Sequence, residues 1–89
     1  MIKKTATILN KLGLHARAAA VFIKTANSFE AKVEVSSSEK QADGKNIIAM
    51  MMLEAGCGKD LSITTDGPDE NDAMNALMEL IRDRFGESE

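Results

Sequence analysis

The chain contains no tryptophan and no tyrosine, and only one cysteine, one histidine and one proline. Its three phenylalanines are its only aromatics, so it has no platform on which nucleic-acid bases could stack. It also lacks the excess positive charge that a phosphate backbone requires, carrying a net −3. A nucleic-acid partner is not expected. The lone Cys57 cannot close an internal disulfide, which suits a reducing compartment. One cysteine with one histidine cannot build a zinc site, so neither a metal nor another cofactor is expected. Long apolar runs are missing too. Met1-Ile2-Lys3-Lys4 passes into alternating polar residues, so neither a signal peptide nor a membrane span is expected, and the cytoplasm is the default location.

What remains is 89 residues with 44% hydrophobic content, enough for one domain over 1–89. A chain of this size buries roughly 60–68% of the surface it exposes when unfolded. Ile2, Ala6 and Ile8 alternate with Thr5 and Thr7, which reads as a half-buried strand over Ile2 to Leu9. Gly13 breaks the period and is the candidate for a positive φ. From Ala16 to Asn27 the spacing turns helical, with Ala19, Phe22, Ile23 and Ala26 on one stripe and Phe29 expected to close the core.

Ala31, Val33 and Val35 form a second strand, the Ser36–Glu39 stretch a turn, and Lys40 to Asp43 a short third strand. Asn46 can cap a helix over Ile47 to Leu53, and Leu61, Ile63 and Thr65 alternate in a last strand. Asp69 is a candidate N-cap for a final helix whose apolar face carries Ala73, Met74, Leu77, Met78 and Ile81. Acidic residues in its first turn and Arg82 and Arg84 near its end suit the helix dipole. The order β-α-β-β-α-β-α, with one polar face per strand, is an α+β arrangement. Antiparallel strands with helices gathered on one face satisfy it.

The single histidine stands where chemistry is available. His15 directly precedes the expected helix start, facing backbone N–H groups that have no partner inside the helix. The positive end of the dipole disfavours imidazolium there, by about 0.3–1 kcal/mol and up to ~2 when partly buried. Neutral imidazole is the nucleophilic form, and the same N–H groups can hold an arriving phosphoryl anion. Arg17 gains nothing from the dipole in the first turn, but its guanidinium fork matches phosphate oxygens. The bland alternative is a histidine serving as a helix cap or a solvated residue. For the Ile47–Leu53 run the alternatives are plain core, or an exposed apolar spot of Ile47, Ile48 and Met51 above inward-facing Met50 and Leu53. Cys57 reads as an incidental small residue and Glu87-Ser88-Glu89 as a solvated tail.

Three segments carry a resemblance that spans essentially the whole chain. They are Asn10-Lys11-Leu12-Gly13-Leu14-His15-Ala16-Arg17, then Gly44-Lys45-Asn46-Ile47-Ile48 with the apolar run after it, then Asp66-Gly67-Pro68-Asp69-Glu70. Together they resemble the histidine-containing phosphocarrier (HPr) family of the bacterial phosphotransferase system and its nitrogen-related branch (NPr). The resemblance implies an open-faced β-sandwich, a four-stranded antiparallel sheet covered on one face by three helices. It implies that His15 takes a phosphoryl group on Nδ1 from enzyme I, charged by phosphoenolpyruvate, and passes it to an EIIA-type protein. Arg17 and the backbone of Ala16, Arg17 and Ala18 would hold the phosphate, and Ala20, Lys24, Ile47, Ile48 and Met51 would meet the partner. Such a protein is a stoichiometric carrier and monomer rather than an enzyme.

Three positions depart from the family pattern. Ala18 replaces the usual proline, which is expected to leave activity intact at slightly lower stability. Asn46 stands at the regulatory-serine position and cannot be phosphorylated, and Asn27 and Ala49 replace lysines of some members. Two rival functions remain: a regulatory module of the same fold, signalling through its phosphorylation state, and a small acylphosphatase-like hydrolase.

Overall fold

Alternation of small apolar and polar residues makes the sheet. The computed structural model describes residues 1–89 and forms strand β1 at Ile2–Thr7, β2 at Lys32–Ser37, β3 at Lys40–Asp43 and β4 at Asp60–Asp66. The strand order is β1-β4-β2-β3 and every neighbouring pair is antiparallel. Register pairs Val35 with Ile63 and Val33 with Thr65, so the buried positions of the two central strands meet on one face. Helices α1 (Ala16–Ala26), α2 (Ile47–Met51) and α3 (Glu70–Arg82) cover that face, and a single 3₁₀ turn follows at Arg84–Gly86. This is the open-faced α+β sandwich the sequence led us to expect. No helix is long and apolar enough to cross a membrane.

Helix α1 buries Ala18, Ala19, Phe22 and Ala26, and α3 buries Ala73, Met74, Leu77 and Ile81. All of these except Ala73 join a core cluster of 18 residues in which Leu14, Met50 and Leu53 are also enclosed. Phe29 does not close that core. It is only half-buried, and Phe85, beyond α3, takes a place inside instead. The expected helix over Ile47 to Leu53 stops at Met51, with Met52 as its C-cap and Leu53 buried in the following turn. Asn46 does cap it, accepting the Ala49 N–H at 3.1 Å.

Asp69 occupies the N-cap position of α3, but its side chain does not cap the helix. Its carboxylate instead accepts the backbone N–H groups of Glu30 at 2.9 Å and Ala31 at 2.8 Å, tying the start of α3 to the turn before β2. Glu70 takes over part of the local role, accepting the Gly67 N–H at 3.1 Å and the N-terminal ammonium at 2.8 Å. Sequence spacing marked the helix start correctly, but an acidic side chain has several donors within reach there and takes those the tertiary fold presents.

These bonds hold two carboxyls below their usual range. The Glu30 N–H is the main cause for Asp69, and the N-terminal ammonium, then the Gly67 N–H, for Glu70. A depressed carboxyl stabilises the fold above its unfolded value of about 4 and loses that contribution as pH falls through the lower folded value. The ammonium, raised chiefly by Glu70, contributes at neutral pH and loses its contribution as pH climbs past about 8. The melting temperature is therefore expected to hold between about pH 5 and 7 and to fall below about pH 4. Asp69→Asn should flatten that acid slope in thermal melts. An unchanged slope in the variant would show that Asp69 does not carry it.

Candidate functional site

The site is assembled from the loop before α1, the first turn of α1 and the chain after α3. Gly13 adopts φ +70°, and a Cβ there would stand 2.7 Å from Gly56 Cα and 2.8 Å from the Ala55 carbonyl. No other residue allows the two backbones to approach so closely. The neighbouring Leu14 donates its N–H to the Ala55 oxygen at 2.8 Å and buries its side chain, which fixes where the next residue emerges.

That residue is His15, the N-cap of α1, in an extended conformation at φ −81°, ψ 179°. Its carbonyl accepts the Ala19 N–H at 2.8 Å, opening the helix, while its imidazole makes no capping bond. The N–H groups of Ala16, Arg17 and Ala18 have no partner in the protein. Ala16 and Arg17 are exposed, whereas Ala18 is fully enclosed, so the first two present the accessible donors. No acidic residue sits in the first turn of α1 to offset the positive end of its dipole. Arg17 points into solvent without an ion pair, and Lys11, to which the sequence assigned no role, lines the same concavity. The arrangement can receive an anion beside an imidazole.

The tail is solvated at Ser88 and Glu89, as its composition suggested, but not at Glu87. Glu87 is largely enclosed and lies against His15, its Oε2 bonded to His15 Nε2. Its Oε1 accepts from Asn10 Nδ2 at 2.8 Å, and the same Asn10 nitrogen donates to the Gly13 carbonyl at 2.8 Å. The Glu89 carbonyl accepts the Lys11 N–H at 2.9 Å. Asn10 is fully buried, and with these bonds from Asn10 first and His15 second, the Glu87 carboxyl is held below its usual range. In the sequence Asn10 is only the first residue of the segment that carries the family resemblance, with no role of its own, and Glu87 gives no signal as a site residue. One reads as part of a turn and the other as part of a polar terminus.

Met50 and Leu53 face inward, leaving Ile47 at 38%, Ile48 at 64%, Met51 at 39% and also Met52 at 66% exposure. Leu12, at 69%, adds an exposed apolar side chain on the rim of the His15 concavity. Ala20 and Lys24 are exposed on α1, which packs against α2. Cys57 is exposed as well, its thiol 3.8 Å from the Leu9 carbonyl oxygen. No cluster of side chains capable of holding a metal ion is present.

Comparison with known proteins gives a consistent result. The family described as "PTS HPr component phosphorylation site" matches residues 2–83. Phosphocarrier protein HPr of Cupriavidus necator is 49% identical over the full length of both chains. That of Pseudomonas aeruginosa is 52% identical, covering 93% of each. Among solved structures, HPr-C-His from Thermoanaerobacter tengcongensis superimposes with a TM-score of 0.95 at 38% identity over all of both chains.

The close backbone contact at Gly13 gives a direct test of how the site is built. Gly13→Ala forces a Cβ into the Ala55–Gly56 backbone at a left-handed φ, and should cost about 1–3 kcal/mol in denaturant unfolding. A variant as stable as the parent would mean that the loop positioning His15 does not rest on this contact.

Proposed function

The chain belongs to the HPr family of phosphotransferase-system phosphocarriers, and on that premise we propose that His15 takes a phosphoryl group from enzyme I and passes it to an EIIA-type protein. The observation that carries this reading is the coincidence of an imidazole with unpartnered helix N–H groups at the same helix start. The Nδ1 atom, which has no bond within the protein, attacks phosphorus, and the N–H groups of Ala16 and Arg17 receive the equatorial oxygens. Arg17 adds a charged fork that can swing onto the phosphoryl group.

Ile47, Ile48 and Met51, with Ala20 and Lys24 on the packed neighbour α1, form the surface on which enzyme I and the EIIA-type protein dock in turn. Met52, just beyond α2, and Leu12, on the rim of the His15 concavity, are further exposed apolar side chains. The protein acts as a cytoplasmic monomer and a stoichiometric carrier, with no cofactor. Asn46 caps α2, and its amide offers no hydroxyl for a serine kinase to phosphorylate, which supports the absence of that control. Hydrolysis of free acyl phosphates is not expected. The one carboxylate against His15 is largely enclosed and tied to Asn10 and His15, a placement that orients the ring rather than a water.

Incubation with enzyme I and phosphoenolpyruvate, followed by mass spectrometry, tests the reading. One acid-labile, base-stable phosphate should form and be absent from His15→Ala, whereas an acid-stable phosphate would refute it. Arg17→Ala should slow charging by about 10–100-fold, the worth of a charged hydrogen bond of ~1.5–3 kcal/mol. Adding a sugar-type or a nitrogen-type EIIA then assigns the branch. Charging without onward transfer to either would favour the signalling role over the carrier role.

A further inference from the structure

We propose that Glu87 is a positioning residue for this transfer, its carboxylate holding the His15 ring in the tautomer that leaves the Nδ1 lone pair free. The inference rests on His15 as the phosphoacceptor, and it concerns a residue outside the segment that the family description matches, which ends at residue 83.

The tautomer follows from which groups can donate. The two neighbours of the Asn10 amide nitrogen are the Gly13 carbonyl and Glu87 Oε1, and both only accept. The nitrogen of Asn10, not its oxygen, must therefore face Glu87. This leaves the buried Asn10 Oδ1 with no partner, a cost that the loop bears to keep the nitrogen in place. The second carboxylate oxygen of Glu87 meets His15 Nε2. A carboxylate held ionised accepts only, so in the neutral ring Nε2 carries the proton and Nδ1 the lone pair.

The backbone brings Glu87 to this place at some strain. Arg84 at φ 55°, Phe85 at φ 55° and Gly86 at φ 80° are three successive left-handed residues that turn the chain back toward α1. The buried Phe85 anchors the turn on one side of Glu87, and the bond from Lys11 N–H to the Glu89 carbonyl anchors the other.

In the charging step the Nδ1 lone pair forms the bond to phosphorus, and the bond to the donor's leaving atom breaks with its electron pair. The ring becomes an N-phosphoryl imidazolium that keeps its Nε2 proton against the Glu87 carboxylate. In onward transfer the electrons of the N–P bond return to Nδ1 and the ring leaves neutral. No proton has to move in either direction.

Glu87→Gln is the decisive variant. Asn10 still donates to the Gln oxygen, so the Gln amide nitrogen is turned toward His15 Nε2 and can only donate. The ring must then accept at Nε2 and carry its proton on Nδ1, where attack should occur. We expect ¹⁵N NMR of the neutral ring to report Nε2–H in the parent and Nδ1–H in Glu87→Gln. Charging by enzyme I should fall by about 10²-fold or more, as when an amide replaces the carboxylate that orients a catalytic histidine. Glu87→Ala, which imposes no tautomer, should lose less than about tenfold. The amide being worse than alanine is the signature that a merely structural contact would not produce. Nε2–H retained in Glu87→Gln, or charging at the parent rate, would overturn the proposal. Failure of the parent to be charged would instead refute the phosphoacceptor reading, and the NMR result would still judge Glu87.

Discussion

The structure turns on the free start of one helix. The first backbone N–H groups of α1 have no partner, and a histidine with an uncommitted ring nitrogen is placed beside them. Such a start forgoes a stabilising contact, because one of these donors could have been satisfied by a capping side chain at His15's position. The fold keeps it open through the hard contact behind it. Gly13 lies against the Ala55–Gly56 backbone, Leu14 is pinned into the core, and Ala18, Ala19, Phe22 and Ala26 bind the helix to its surroundings.

Costs gather at this end of the molecule. The orphaned Asn10 Oδ1, the left-handed Arg84 and Phe85 and the uncapped N–H groups all lie in the segments that meet at His15. Strain and unsatisfied groups persist only where the rest of a fold over-determines them. Here the rest is a sheet whose central strands bury Val33, Val35, Leu61, Ile63 and Thr65 against three helices. The stable face and the costly end belong to one cooperative unit, since Leu14 and Phe85 are members of the same core cluster.

Local patterning made much of this legible. Two-residue alternation identified β1, β2 and β4, 3.6-residue spacing identified α1 and α3, and Gly13 could be named as a positive-φ position because glycine is the residue that such a backbone selects. His15 and Arg17 could be singled out as candidates because a helix start has known electrostatics whatever surrounds it. The misses share one cause. Glu87 meets Asn10 and His15 across most of the length of the chain, and Asp69 meets Glu30 and Ala31 across nearly half of it, separations that no periodicity encodes. The turn that returns the tail is built on Arg84 and Phe85, whose positive φ values carry no glycine signal. The core closes on Phe85 rather than Phe29 for the same reason: composition places a phenylalanine inside, but only the three-dimensional path decides which one.

The most direct measurement is a comparison of the ¹H–¹⁵N and ³¹P NMR spectra of the protein before and after charging. Phosphorus coupled to His15 Nδ1, together with large shifts of the Ala16 and Arg17 amides, is the expected result. Phosphorus on Nε2, or amides at the start of α1 that do not respond, would contradict the idea that this helix end receives the phosphoryl group.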